Sequence, residues 1–136
     1  LLIFTIPACA GSANIAINLV TDQKTYGSGE PIAMALTVVN QNSQPYQAIF
    51  SSGKKYDFIL RDSSGKTVWQ WSGGKMFTQA FTKVDLEPGT PRTCVAVFNP
   101  APPEGKNLKP GSYTLTGVFI TAEKQFESEP VEIAIR

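Results

Sequence analysis

Ser51, Ser52, Ser63, Ser64 and Ser72 crowd the middle of this 136-residue chain. A serine hydroxyl becomes a nucleophile when a neighbouring base removes its proton. None of these serines sits in a Gly-x-Ser-x-Gly elbow, and the chain contains no histidine to act as the base. They read as turn residues. Asp57 and Asp62 flank one apolar run, and Asp85 and Glu87 flank a turn. Paired carboxylates can do acid/base work or hold calcium. No spacing here matches a calcium loop, so these groups read as solvated or turn-forming. Cys9 and Cys94 are too few for a disulfide framework or a zinc site. Whether the two pair with each other stays open. The chemistry-bearing residues therefore point away from an enzyme and call for no cofactor and no metal.

The elements that would position these groups are strands. Asn14–Val20, Ile32–Val39, Tyr46–Phe50, Tyr56–Arg61 and Val68–Trp71 alternate apolar with polar or small residues. Phe77–Val84, Thr93–Phe98, Ser112–Thr121 and Val131–Ile135 do the same, and a short strand fits within 122–128. Asp62–Lys66 has the length and late glycine of a hairpin turn. Leu86–Thr90 carries Pro88 and Gly89 where a type II turn needs them. Pro110-Gly111-Ser112-Tyr113 fits a tyrosine corner. Turn signals recur about every ten residues, the rhythm of a sandwich. The expected fold is all-β, an immunoglobulin-like antiparallel sandwich of about seven to nine strands.

Totals agree with one domain. Hydrophobic residues make up 42% and charged residues 17% of the chain, and the net charge is +1. Lysines and arginines are scattered, so a nucleic-acid partner is not expected. The expected β domain is 13–136, after a leader remnant and linker at 1–12. Leu1–Ile6 is apolar and precedes the small-residue cluster around Ala8-Cys9-Ala10, as at the end of a signal peptide. Ile6-Pro7-Ala8-Cys9 also resembles a bacterial lipobox, which makes Cys9 a candidate lipid attachment and the sole expected link to a membrane. An N-terminal strand is the alternative. The expected location is exported or cell-envelope associated, with cytoplasmic as the alternative. No run approaches the roughly 20 apolar residues of a spanning helix.

Several pieces together resemble the BsuPI family of bacterial proteinase inhibitors. They are Tyr26 with Gly29-Glu30-Pro31-Ile32, Leu36 to Asn40, Phe50-Ser51-Ser52-Gly53 and Tyr56-Asp57-Phe58. Asp62 to Gly65, Val68-Trp69-x-Trp71-Ser72 and Phe77-x-Gln79-Ala80 follow. Leu86-x-Pro88-Gly89, Pro110-Gly111-x-Tyr113 and the run from Gly117 to Ala122 complete the set, spanning residues 20 to 135. Ser28 stands where the family often has proline. The resemblance implies an Ig-like sandwich that inhibits subtilisin-class serine proteases, a non-enzyme with a protease partner; a monomer is expected. The alternative is an exported or lipid-anchored Ig-like interaction module of the cell envelope.

For such an inhibitor, Asn99–Gly111 is the candidate contact segment. It carries four of the chain's ten prolines. Pro100, Ala101, Pro102, Pro103 and Glu104 form its tip, and prolines favour extended, preorganised backbone. A plain strand connection is the competing reading. Asp62–Lys66 and Ser72–Lys75 are rival contact loops. Trp69 and Trp71 share a face and read as core, with an exposed binding face as the alternative. Phe58, Leu60, Phe77 and Phe81 are expected beside them in the core.

Overall fold

The computed structural model describes residues 14–103 and 105–136. The expected leader with Cys9, and Glu104, lie outside the described residues. In chain order the strands are β1 (Ile15–Thr21), β2 (Thr25–Tyr26), β3 (Ile32–Asn40), β4 (Tyr46–Phe50), β5 (Tyr56–Asp62) and β6 (Thr67–Gln70). Then come β7 (Thr82–Leu86), β8 (Arg92–Phe98), β9 (Gly111–Ile120), β10 (Gln125–Glu127) and β11 (Val131–Ile135). None of the described residues is helical. The strands form a three-stranded sheet, β1-β3-β8, and a larger sheet, β2-β11-β9-β5-β6, with β10 added on β9. A separate pair, β4-β7, extends one end. Pairing is antiparallel except where two-residue β2 lies parallel to β11.

Alternation explains why the two sheets stack. Along β3, Ile32, Met34, Leu36 and Val38 are buried, while their neighbours face outward and are half-covered. Leu19 from β1, Phe58 and Leu60 from β5, and Leu115 from β9 join the same core. Burying each such side chain contributes about 1.5–3 kcal/mol. A second cluster, with Phe50, Leu86, Phe119 and Phe126, closes the end that β4 and β7 cover. The all-β sandwich expected from the alternation is therefore present.

Tyr113 makes the expected corner. Its phenol donates to the Lys109 carbonyl at 2.7 Å, and the ring is buried. This bond ties the long 99–110 connection to the start of β9. Tyr113→Phe keeps the ring and removes the bond. It is expected to lower unfolding free energy by about 1 kcal/mol, read from urea midpoints.

The described residues form eleven strands against the seven to nine expected, since two-residue β2 pairs within a stretch that carries only turn signals, and β7 starts later than its pattern suggests. Phe77–Val84 was expected as a single strand, but pairing starts only at Thr82, opposite Phe50. Residues 77–81 are irregular, and Phe81 is 74% exposed instead of in the core. The partner strand β4 ends at Phe50, and the residues before Thr82 are anchored by contacts with other segments. The Thr78 carbonyl accepts a bond from the Gly53 N–H at 2.8 Å, and Phe77 packs on Trp71. Both hold the chain off the β4 ladder until Thr82.

Candidate functional site

β6 and β8 are the edge strands of their sheets. They meet on one side of the sandwich, where Trp69 stacks on Phe98 with centroids 4.5 Å apart. Beside that stack lies a cleft of about 840 Å³. The three loops named as rival contacts all border it. Asp62 and Lys66 come from the β5–β6 turn, Gly73 and Lys75 from the turn after β6, and Asn99 and Gly105–Lys109 from the long connection. Lys66, Lys75, Lys106 and Lys109 make the border positive, and Asp62 is the one carboxylate among the described lining residues. Trp69 and Trp71 are neither fully core nor fully free. Each packs one face inward and lines the cleft.

The expected contact segment takes an unexpected shape. Pro100 is fully buried, Ala101 is half-buried, and only Pro102 and Pro103 of the described tip residues are exposed. The Gly105 N–H donates to the Ala101 carbonyl at 3.1 Å, and the Leu108 N–H donates to Ser28 at 2.9 Å. The connection folds into a compact turn pinned to the Gly27–Glu30 turn, and does not run extended. Proline fixes φ but leaves the chain free to turn between prolines. Pro100 to Pro103 therefore sit beside the cleft, whose lining comes from the flanking residues.

Asp57 lies outside the cleft lining and holds one of its border turns in place, through Ser72. It was read as solvated or turn-forming, yet it is 2% exposed. Its carboxylate accepts bonds from the Ser72 N–H at 3.0 Å, the Ser72 hydroxyl at 2.6 Å and the Gln70 amide at 2.7 Å. The Phe58 N–H donates at 2.9 Å, and Lys54 Nζ lies 3.3 Å away. Burial pushes this carboxyl up, but the donors of Ser72, Gln70 and Phe58 outweigh it and hold it below the ordinary value. Alternation places Asp57 on the outer face of β5. What strand patterning omits is that the turn at Ser72 folds back over that face and covers it. The signal was the Asp57–Ser72 pairing at matching ends of a predicted hairpin. Asp62, by contrast, does hold its turn. It accepts bonds from the Ser64 hydroxyl at 2.7 Å and from the Ser64 and Lys66 N–H groups, each at 3.0 Å.

These groups offer binding chemistry. A carboxylate held below its usual pKa is a weak base, so Asp57 cannot activate the Ser72 hydroxyl that donates to it. Burial pushes the Cys94 thiol up, which disfavours the reactive thiolate. The site presents aromatic faces, a lysine border and three fixed loops.

A family model described as BsuPI, intracellular proteinase inhibitor, matches residues 19–124. A search of curated proteins gives no match. Among solved structures, a β-glucosidase from Erythrobacter marinus is similar at 16% identity and TM-score 0.51, covering 91% of this chain and 16% of that one. A DNA-bound alkylpurine DNA glycosylase from Pseudomonas fluorescens is similar at 13% identity and TM-score 0.55, covering 91% of this chain and 31% of that one. The CARDB domain of a Pyrococcus furiosus protein is similar at 9% identity and TM-score 0.50, covering 94% and 97% of the two chains. The chain thus spans less than a third of the length of those two larger proteins. At such identities the likeness describes the fold alone.

Proposed function

We propose that this chain, which belongs to the BsuPI family of intracellular proteinase inhibitors, is a non-enzymatic inhibitor domain for serine proteases of the subtilisin class. The family match carries the reading, and the structure supports it with one arrangement. Three loops that sequence could only name as rivals converge on the open side of the sandwich, each fixed by its own hydrogen bonds. Fixed loops suit inhibition, because a ligand ordered before binding loses less entropy in the enzyme's cleft. Here the order comes from the hydrogen bonds of Asp57, Asp62 and Tyr113.

The test is a titration. Purified domain is added to a subtilisin-like protease and to trypsin, and residual peptidase activity is measured. The expected result is loss of subtilisin-like activity at about micromolar domain or below, with the domain intact by mass. Undiminished cleavage at that concentration would exclude inhibition. A domain that binds without inhibiting would support the alternative, an Ig-like interaction module.

A further inference from the structure

The segment joining β6 to β7 presents an apolar side chain in an unusual way. Met76 is 98% exposed. Single exposed apolar residues are common on protein surfaces and mean little alone. Here both neighbours are tied down on the same ring. Lys75 Nζ lies 4.8 Å above the centroid of Trp71, and the Phe77 ring lies 5.9 Å from it. Trp71 is itself fixed, its ring stacked on Tyr56 at 4.7 Å and its backbone N–H donating to the Phe58 carbonyl at 2.9 Å.

The anchoring continues on either side. Upstream, Ser72 is held by Asp57, and the Lys75 N–H donates to the Ser72 carbonyl at 3.1 Å. Downstream, the Thr78 carbonyl accepts the Gly53 N–H at 2.8 Å. A Cβ at Gly53 would lie 3.0 Å from Thr78 Oγ1, so the two segments approach as closely as glycine permits. Met76 is an unbranched apolar side chain held outward from a strand-free segment pinned before and after it. A serine protease with an apolar primary pocket selects for such a side chain, delivered on a peptide that need not be ordered on binding.

We propose that Met76 is the specificity residue of the inhibitor: it enters the apolar primary pocket of the target protease, and residues 75–78 lie in the active-site cleft. This rests on the inhibitor reading above, and it places the primary contact on this segment instead of on Pro100–Glu104. The other exposed apolar side chains fit the role less well. Val20, Ile49, Val68, Val95 and Val97 lie within the strands β1, β4, β6 and β8, and Phe81 directly precedes β7.

The experiment compares wild type, Met76→Asp, Met76→Lys and Pro103→Asp against a subtilisin-like protease and trypsin. Met76→Asp is expected to raise the inhibition constant for the subtilisin-like enzyme about a hundredfold or more, as for a central interface anchor. Met76→Lys is expected to lose the same inhibition and to gain inhibition of trypsin, whose pocket carries an aspartate. Urea midpoints should not move, since almost all of the Met76 side chain faces solvent. If wild type inhibits and both Met76 variants inhibit equally well, the assignment of Met76 is wrong while the inhibitor reading stands. Loss of inhibition in Pro103→Asp alone would move the contact to the proline turn. If wild type inhibits neither protease, both readings fall together.

Discussion

Asp57→Ala is expected to lower unfolding free energy by about 1–3 kcal/mol, the cost of leaving hydrogen-bonding groups without their partner. The size follows from what is left behind. The half-buried Ser72 N–H and hydroxyl lose their acceptor together, while the amide of exposed Gln70 returns to water. Lys54 adds little, because its half-exposed ammonium returns to water. Asp57→Asn keeps an acceptor oxygen and is expected to fall between wild type and alanine. The sign with pH follows from the lowered carboxyl. A group whose folded pKa is depressed contributes stability above its unfolded value, near pH 4, and loses it as pH falls through the folded value. The wild-type advantage over Asp57→Asn is therefore full at pH 7 and shrinks below about pH 4. Urea unfolding of both proteins from pH 7 to pH 2.5 checks this. An advantage that stayed constant with pH would mean that the charge of Asp57 is not what holds Ser72.

The same residue links fold to function. Asp57 fixes Ser72, the neighbour of Trp71, and Trp71 holds Lys75 and Phe77. Loosening this chain would free Met76 without touching it. The Tyr-Asp-Phe and Trp-x-Trp-Ser pieces are thus more than core: their aromatic residues pack the sandwich while Asp57 and Ser72 shape the loop beside them.

What could be read from sequence divides along a physical line. The period-2 pattern of Ile32–Val38 identified both the strand and its buried face, because one side of β3 packs on the opposite sheet. Asp62–Lys66 and Pro110–Tyr113 were legible because their bonds are local, within four residues. The failures all involve contacts between segments distant in sequence. Phe81 fits a strand pattern but is exposed, since the Gly53–Thr78 bond diverts the chain. Pro100 looked like part of an extended loop but is buried, since Ser28 holds the connection from outside it. Tyr26 appeared only as a motif residue, yet it is fully buried in the core formed by distant strands of both sheets. For the site, the three loops were named but their convergence was not, because it depends on how edge strands of two different sheets meet.

Leu36→Ala is the second large effect, expected to cost about 2–5 kcal/mol from lost transfer energy and the cavity left behind. Leu36 is fully buried at the centre of β3. Across the sandwich it meets Gly117 of β9, where a Cβ would lie only 2.6 Å from Leu36 Cδ1. Gly117 pairs with Phe58 in a regular ladder, and its φ is not positive. Glycine is needed here for space and not for backbone freedom. Gly117→Ala alone is therefore expected to cost about 1–3 kcal/mol, because the buried leucine has little room to yield. In the Leu36→Ala background that clash is gone. The added methyl then fills part of the cavity, and alanine restricts the unfolded chain, which is worth about 0.4–1 kcal/mol where the backbone tolerates it. The same substitution should change sign, from destabilising in wild type to neutral or stabilising in the variant. Urea unfolding of the four proteins gives the coupling directly, expected at about 1–3 kcal/mol. Additive costs would show that the sheets separate to admit the alanine, and that the close approach of β3 and β9 does not set the spacing of the sandwich.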